Sequence, residues 1–560
     1  MQSAVSSPQP SLVSVVGKLT YTLLRGLERS TFALVFCLVL RTYKFGGLQG
    51  VILLFVKALR TVPGVDWLIK VILTKEVKGA VRELSSKGTE TSEKKIAISI
   101  PEKGLPHSQL LEQLAELKVG ETAAEDGKLF ALVYSAGDTH TELLNTARSM
   151  FKDFDATGSV NHADFLDRVY RMFCHDNALN PNLFASLRKM ETETISMAAS
   201  LMNGPSSVVG SLTSGGTESC LMAMKAYRDR ARALCPHITK PEVVACITVH
   251  PAFEKAAHYF DLTIVHVPTN EQMELDVSAM EKAITKNTIL LIASAPQYPH
   301  GIVDPVEQVS ELALQAGLPL HVDSCFGGFM LPWVEKLGYY VPKWDFRVKG
   351  VTSISADLHK YGYGPKGTSV ILYRDTDYRK YQYFAYAQWP GGLFGSPSMA
   401  GSRPGGLIAA AWATLMGMGQ DGYLKYASET MEVTKKLIQG VRQIEGLKIL
   451  GDPHMTGFAI APDCPAVDMY ALADEMEKTG WHMERQQYPS CIHFSIMPTH
   501  IPTADQLLED LAKAVSSVKA NPDAGKDGSA AMYGMVAKIP DKAIVDDFIV
   551  QYFSEIYTMT

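Results

Sequence analysis

Residues 288–323 read TILLIASAPQYPHGIVDPVEQVSELALQAGLPLHVD, and this stretch decides the fold class. Thr288–Ala293 is an apolar run of strand length, Pro305–Ala316 is helical in pattern, and Pro319–Val322 is a second apolar run. Strands buried on both faces read as continuous apolar segments, and a strand–helix–strand unit makes a parallel crossover. Moving outward, the pattern recurs at Glu242–Val249 (EVVACITV), Leu262–Val267 (LTIVHV), Val351–Ser355 (VTSIS) and Ser369–Tyr373 (SVILY), each bounded by Pro, Gly or Asp. The expectation is an α/β fold, a mostly parallel sheet with helices on both faces. Such sheets bind ligands beyond the carboxyl ends of their strands, so the residues just past these runs are where chemistry is sought.

The flanks read differently. Gly406–Gly417 and Tyr423–Ile444 read as two helices, followed by strand pieces and helices near Val467–Thr479 and Thr503–Val518. This predicts a large domain over 201–424, a smaller α+β C-terminal domain over 425–520 and a tail over 521–560. Residues 66–200 read as a helical N-terminal segment, with the charged stretch VKGAVRELSSKGTETSEKK as a soft boundary. Residues 1–65 hold seven basic residues and one acid, Glu28, around the apolar runs Thr31–Leu40 and Phe45–Ala58. Neither run reaches the roughly 20 residues of a clean span. A single anchor, an interfacial helix and an organellar leader all fit that pattern, and membrane association is the expectation.

Composition excludes several classes. A chain of 560 residues fits two to four packed units, and 46% apolar with 20% charged residues is a globular balance. The 53 basic and 59 acidic residues give a net charge of −6, with no global basic excess for a nucleic-acid partner. A mean hydropathy of +0.02 argues against a multi-span membrane protein. The eight cysteines include no CxxC pair and read as mostly buried free thiols.

Three places carry candidate chemistry, two of them just past the strands. Thr213–Ser219 reads TSGGTES before the helical run Cys220–Arg232; two glycines and Thr217 at a helix start form a cradle for a phosphate, or a plain helix cap. Asp323 closes the strand HVD and can hold a protonated ring nitrogen; by itself it is equally a turn residue. Ser353–Tyr363 (SISADLHKYGY) puts His359 and Lys360 just past another strand, where a lone lysine is ordinarily a solvated surface residue. Together they are what pyridoxal phosphate requires: a lysine to form an imine, a carboxylate to keep the pyridine nitrogen protonated, and a helix start for the phosphate. His250, after EVVACITV, would stack on the ring.

The runs TSGGTES, HPAFEKAAHYF, PQYPHGIVDP, HVDSCFGGF, DFRVKGVTSISADLHKYGYGPKG and AGSRPGG resemble the sphingosine-1-phosphate lyase family. That family is of the fold-type I, decarboxylase-like group of pyridoxal-phosphate enzymes. The likeness runs from about residue 100 to the end, including MYGM at 532–535. It implies a seven-stranded, mostly parallel sheet and a retro-aldol cleavage of phosphorylated long-chain bases to a fatty aldehyde and phosphoethanolamine. It also implies roles. Lys360 is the imine-forming lysine, Asp323 faces the pyridine nitrogen, and His250 covers the ring. Gly216, Thr217 and His359 contact the phosphate, with Tyr298 and Ser402 reaching it from the neighbouring subunit of a homodimer. Lys366 is a second lysine tied to activity, and Tyr134 lies near the substrate. The resemblance further implies an endoplasmic reticulum membrane location with the catalytic part facing the cytosol.

Two features depart from the family pattern. Asn180, in NALN, stands where the family has a histidine associated with the substrate site; His175 lies five residues earlier. An insertion near 140–160 includes DFDATGSVNHAD, where Asp153, Asp155, Thr157, Gly158 and Asp164 have calcium-loop spacing but the closing ligand is Asp rather than Glu. It reads as a loop with helix caps, and no metal is expected. Alternative functions are a pyridoxal-phosphate-dependent amino-acid decarboxylase, which uses the same Lys, Asp and His, and a catalytically impaired lipid-binding homologue.

Overall fold

The computed structural model describes residues 98–118, 160–521 and 542–558. Tyr134, the insertion up to residue 159, the segment 1–65 and MYGM lie outside the described residues. Strands β1 (Val209–Thr213), β2 (Glu242–Cys246), β3 (Thr263–Val267), β4 (Thr288–Ser294), β5 (Leu320–Asp323), β6 (Val351–Ala356) and β7 (Ser369–Tyr373) make one sheet in the order β1-β7-β6-β5-β4-β2-β3. The pairs β2–β3, β2–β4, β4–β5 and β5–β6 are parallel. β7 runs against both β6 and β1. The link from β6 to β7 holds no crossover helix, so the chain turns back antiparallel.

The sheet is buried on both faces, as its apolar runs require. Leu291, Ala293, Val370 and Leu372 join one core, while Ile292, Ile371 and Tyr373 join the other, with Tyr227 and Phe253 from the covering helices. Each fully buried aliphatic side chain contributes about 1.5–3 kcal/mol relative to exposure. The central strands are therefore a stiff platform for the turns at their carboxyl ends.

The two helices expected near 406–444 lie within one helical span, Gly405–Arg442. It breaks at Gly419 (φ +60°), where a built Cβ would stand 2.1 Å from the Gly104 nitrogen. No side chain fits there, so two helices meet end to end. The helices His162–Phe173 and Ala185–Leu201 pack on its first half. Asn161 caps the former by accepting the Ala163 N–H at 2.9 Å, and Asp164 lies in its first turn.

A hairpin, β8 (Phe384–Tyr386) and β9 (Phe394–Ser396), precedes the long helix. Beyond it β10 (Leu447–Ile449), β11 (Gly457–Pro462), β12 (Glu484–Gln486) and β13 (Cys491–Ser495) form an antiparallel sheet in the order β10-β11-β13-β12. The helices Met469–Glu477 and Ala504–Ala520 share its core. The Tyr361 hydroxyl, just past the β6 end, donates to the Ile496 carbonyl at 2.9 Å and ties this sheet to the larger one. Among the described residues no helix is long and apolar enough to cross a membrane.

Candidate active site

The turn after β6 carries Lys360, and its backbone is closed on itself. His359 N–H donates to the Thr368 carbonyl at 3.1 Å and Gly364 N–H to the Leu358 carbonyl at 2.9 Å. Leu358 and Tyr361 are buried on either side, so His359 and Lys360 are held out of the core at a fixed place. The Lys360 Nζ lies 3.1 Å from Asp357 Oδ2, and His359 Nε2 lies 3.4 Å from the same oxygen. Burial works against the Lys360 ammonium, but the Asp357 carboxylate outweighs it, and the amine sits above its ordinary range. For Asp357 burial likewise opposes the charge, while His359 and Lys360 together hold the carboxyl below its usual value. One oxygen of Asp357, Oδ1, is buried without a hydrogen-bond partner, and so is His359 Nδ1.

Asp323 ends β5, the strand beside β6. Its Oδ1 accepts the Cys325 N–H at 3.0 Å and the Ser355 hydroxyl at 3.1 Å. Ser355 also lies 3.2 Å from His321 Nε2, and His321 Nδ1 lies 2.8 Å from Ser353. Burial lowers His321 to about 4, so it is a neutral ring in this chain of hydroxyls. Alternate serines of β6 thus fix a buried acid at the carboxyl edge of the sheet.

The glycine-rich turn faces them. Gly216 opens the helix Gly216–Leu234, and a built Cβ there would lie 2.7 and 2.8 Å from the Asp357 oxygens and 3.0 Å from Cys325 Sγ. Only glycine permits that approach. Cys325, buried against Cys220, has its thiol raised by that contact and by burial, so it packs the wall and is no nucleophile. Thr217 is exposed on the first turn. Glu218 closes the turn by accepting the Ser214 N–H at 2.7 Å and the Met399 N–H at 3.0 Å.

Of the other candidates, Lys366 contacts the Lys360 turn directly. Lys366 is exposed, and its Nζ donates to the His359 carbonyl at 3.1 Å. His250 is exposed past the carboxyl end of β2, its Nδ1 accepting the Ala252 N–H at 3.1 Å. Tyr298 packs at a tilt against His493, ring centroids 4.3 Å apart, and meets Phe326 edge-on at 5.7 Å; the Phe326 ring in turn lies 6.0 Å from Lys360 Nζ. Ser402 lines a cavity with Ser214, Glu218 and Thr368 and accepts from Asn177 Nδ2 at 3.0 Å. Asn180 is half-buried in the turn before the helix Ala185–Leu201, its carbonyl accepting the Leu183 and Phe184 N–H groups.

Sequence reasoning assigned nothing to Asp357, Asn177, Phe326 or His493. Asp357 stood inside the motif SADLHK, where a strand-end acid three residues before the lysine was the available signal. Asn177, Phe326 and His493 become part of the site only through folding.

These groups fit pyridoxal phosphate. A glycine cradle at a helix start, an orphaned imidazole nitrogen beside it, an amine and a fixed buried carboxylate match the anion, the carbonyl and the ring nitrogen of that cofactor. Fold and site define a pyridoxal-phosphate-dependent enzyme of the decarboxylase-like group. The model of the pyridoxal-dependent decarboxylase conserved domain matches residues 174–460. A sphingosine-1-phosphate lyase of Dictyostelium discoideum is 40% identical over 90% of this chain and 89% of its own length. Sphingosine-1-phosphate lyase 1 of Rattus norvegicus is 40% identical over 90% of this chain and 84% of its own. A solved sphingosine-1-phosphate lyase of Burkholderia pseudomallei superposes with a TM-score of 0.66 at 34% identity, covering 82% of this chain and 97% of that one. The glutamate decarboxylase of Lactobacillus brevis, at 20% identity and a TM-score of 0.55, shares the fold. The chain belongs to the sphingosine-1-phosphate lyase family.

Proposed function

We propose that this protein cleaves the C2–C3 bond of phosphorylated long-chain bases, releasing a long-chain aldehyde and phosphoethanolamine. The observation that carries the reading is the kinship with curated lyases over nine-tenths of the chain, with Lys360 and Asp323 held at adjacent strand ends. When bound, pyridoxal phosphate supplies a carbonyl for the substrate amine and a protonated ring that accepts the electron pair of the breaking bond.

The chain's residues do the rest. Asp323, fixed by Ser355 and the Cys325 N–H, offers a carboxylate that keeps a ring nitrogen protonated. The helix start at Gly216 and the imidazole of His359 hold a phosphate, with Thr217 supplying a hydroxyl. Asp357, 3.1 Å from Lys360 Nζ, orients the amine that would attach the cofactor, and that amine must shed a proton before it can act as a nucleophile. His250 would cover one face of the ring. A base within hydrogen-bond reach takes the C3 hydroxyl proton. Lys366, bonded to the His359 carbonyl, stands next to the reacting turn, and Tyr134 and Lys360 itself are the other protein candidates.

The assembly we propose is a homodimer whose subunits exchange Tyr298 and Ser402 at the phosphate. Residues 1–65 attach it to the endoplasmic reticulum membrane with the catalytic part in the cytosol, where a lipid substrate is delivered from the bilayer. Asn180 stands in place of the family histidine, so rate and head-group handling are the properties to compare with the relatives. The test is to incubate protein, pyridoxal phosphate and a phosphorylated sphingoid base and assay fatty aldehyde, with Lys360→Ala alongside. Aldehyde from the wild type alone supports the reading. Equal aldehyde from both proteins, or carbon dioxide from an amino acid instead, contradicts it.

A further inference from the structure

Among the described residues Asp357 is the one carboxylate that touches both Lys360 and His359, and it meets them through a single oxygen. Oδ2 lies 3.1 Å from Lys360 Nζ and 3.4 Å from His359 Nε2. Asp357 is only 2% exposed, and its Oδ1 has no hydrogen-bond partner. The far side of the imidazole, Nδ1, is also buried and unpartnered. It belongs to the ring whose Cε1 lies 3.5 Å from a built Cβ at Gly215, so the imidazole borders the glycine cradle.

A histidine's two nitrogens are linked through one ring: what binds one decides what the other offers. A carboxylate at Nε2 retains a proton there. An anion arriving in the cradle then meets Nδ1, which can donate only if the ring carries a second proton. A buried carboxylate behind the ring favours that doubly protonated form. When the Lys360 amine is taken up by a carbonyl, it ceases to be an ammonium, and Asp357 retains His359 as its remaining cation.

We propose that Asp357 is a positioning residue that holds His359 as an imidazolium, so that Nδ1–H donates to the cofactor phosphate. The proposal rests on the reading that His359 and the glycine cradle take that phosphate, and it makes an unusual prediction. A bare negative charge near a phosphate repels it, so removing Asp357 would by itself tighten binding. Acting through His359, its removal weakens binding instead.

The experiment compares dissociation constants of pyridoxal phosphate and pyridoxal, read by absorbance and fluorescence titration of the apoprotein, with no turnover needed. It uses wild type, Asp357→Asn, His359→Gln and the double variant. The expected result is at least tenfold weaker pyridoxal phosphate binding by D357N, pyridoxal binding within about twofold of wild type, and no further effect of D357N once His359 is gone. Tighter or unchanged pyridoxal phosphate binding by D357N overturns the proposal. So does equal weakening of both ligands, which would locate the role of Asp357 at Lys360. Should D357N fail to fold, His359→Gln alone decides: it must erase most of the preference for the phosphorylated ligand, and retention of that preference refutes the proposal. Loss of lyase activity with this binding pattern intact would count against the proposed reaction and leave the Asp357 assignment standing.

Discussion

Replacing Asp323 separates its function from its structural part. The Asp323 Oδ1 accepts two buried bonds, from the Cys325 N–H at 3.0 Å and the Ser355 hydroxyl at 3.1 Å. Asp323→Asn retains an oxygen for both, so the fold has little reason to change. What it loses is the carboxylate charge that the proposed function sets against the ring nitrogen. A hydrogen bond to a charged group contributes about 1.5–3 kcal/mol, and at about 1.4 kcal/mol per factor of ten this is roughly a ten- to 150-fold drop in cleavage rate. Asp323→Ala loses the same charge and also strands both donors, at about 1–3 kcal/mol each. The assay is aldehyde release under saturating cofactor, with urea unfolding of both apoproteins. D323N should fall at least tenfold in rate with an unfolding midpoint near wild type, while D323A falls in both. A D323N rate within twofold of wild type would refute the assignment of Asp323 to the ring nitrogen.

Three further outcomes follow from the packing. Tyr361→Phe leaves the Ile496 carbonyl without the hydroxyl it accepts from, and should lower stability to urea by about 1–3 kcal/mol; an unchanged midpoint would show that this link between the sheets contributes nothing. Acid should destabilise the protein between pH 6.5 and 4. Burial lowers His300, His321 and His493 to about 4 each, so unfolding takes up three protons near pH 5, while burial raises Asp304 to about 7, so unfolding releases one there. The net uptake of about two protons means stability rises with pH by roughly 2.7 kcal/mol per unit, and a flat urea midpoint from pH 4.5 to 6 would contradict it. Asn177→Ala removes the acceptor of the Leu179 and Arg403 N–H groups and the donor to Ser402. It should weaken cofactor binding severalfold in equilibrium titration, and an unchanged dissociation constant would detach the 177–180 turn from the site.

Much of this was legible because the central strands are buried on both faces. The apolar runs at 288–293 and 369–373 match β4 and β7 within one residue, since burial on both sides leaves no polar alternation to mislead. β1 (VGSLT) was missed: Gly210 and Ser211 break the run, and the strand is fixed by its antiparallel partner β7 rather than by its own composition. The reversal of β7 was equally hidden, because strand direction lies in the connection and not in the strand. The three-residue strands β10 and β12 are too short for any period. Within the site, Lys360 and Asp323 were readable as strand-end chemistry and the glycine turn as a helix start. Asp357 was in plain view but silent, because its role depends on sharing one oxygen between two neighbours that only the closed turn brings together.

The central claim is that one amine, that of residue 360, carries the cofactor. Protein saturated with pyridoxal phosphate is reduced with borohydride, digested and mapped by mass spectrometry. A phosphopyridoxyl group on Lys360, absent from Lys366 and from every other lysine, is the predicted result. The same group on another residue, or an undiminished yield in Lys360→Ala, would contradict the account.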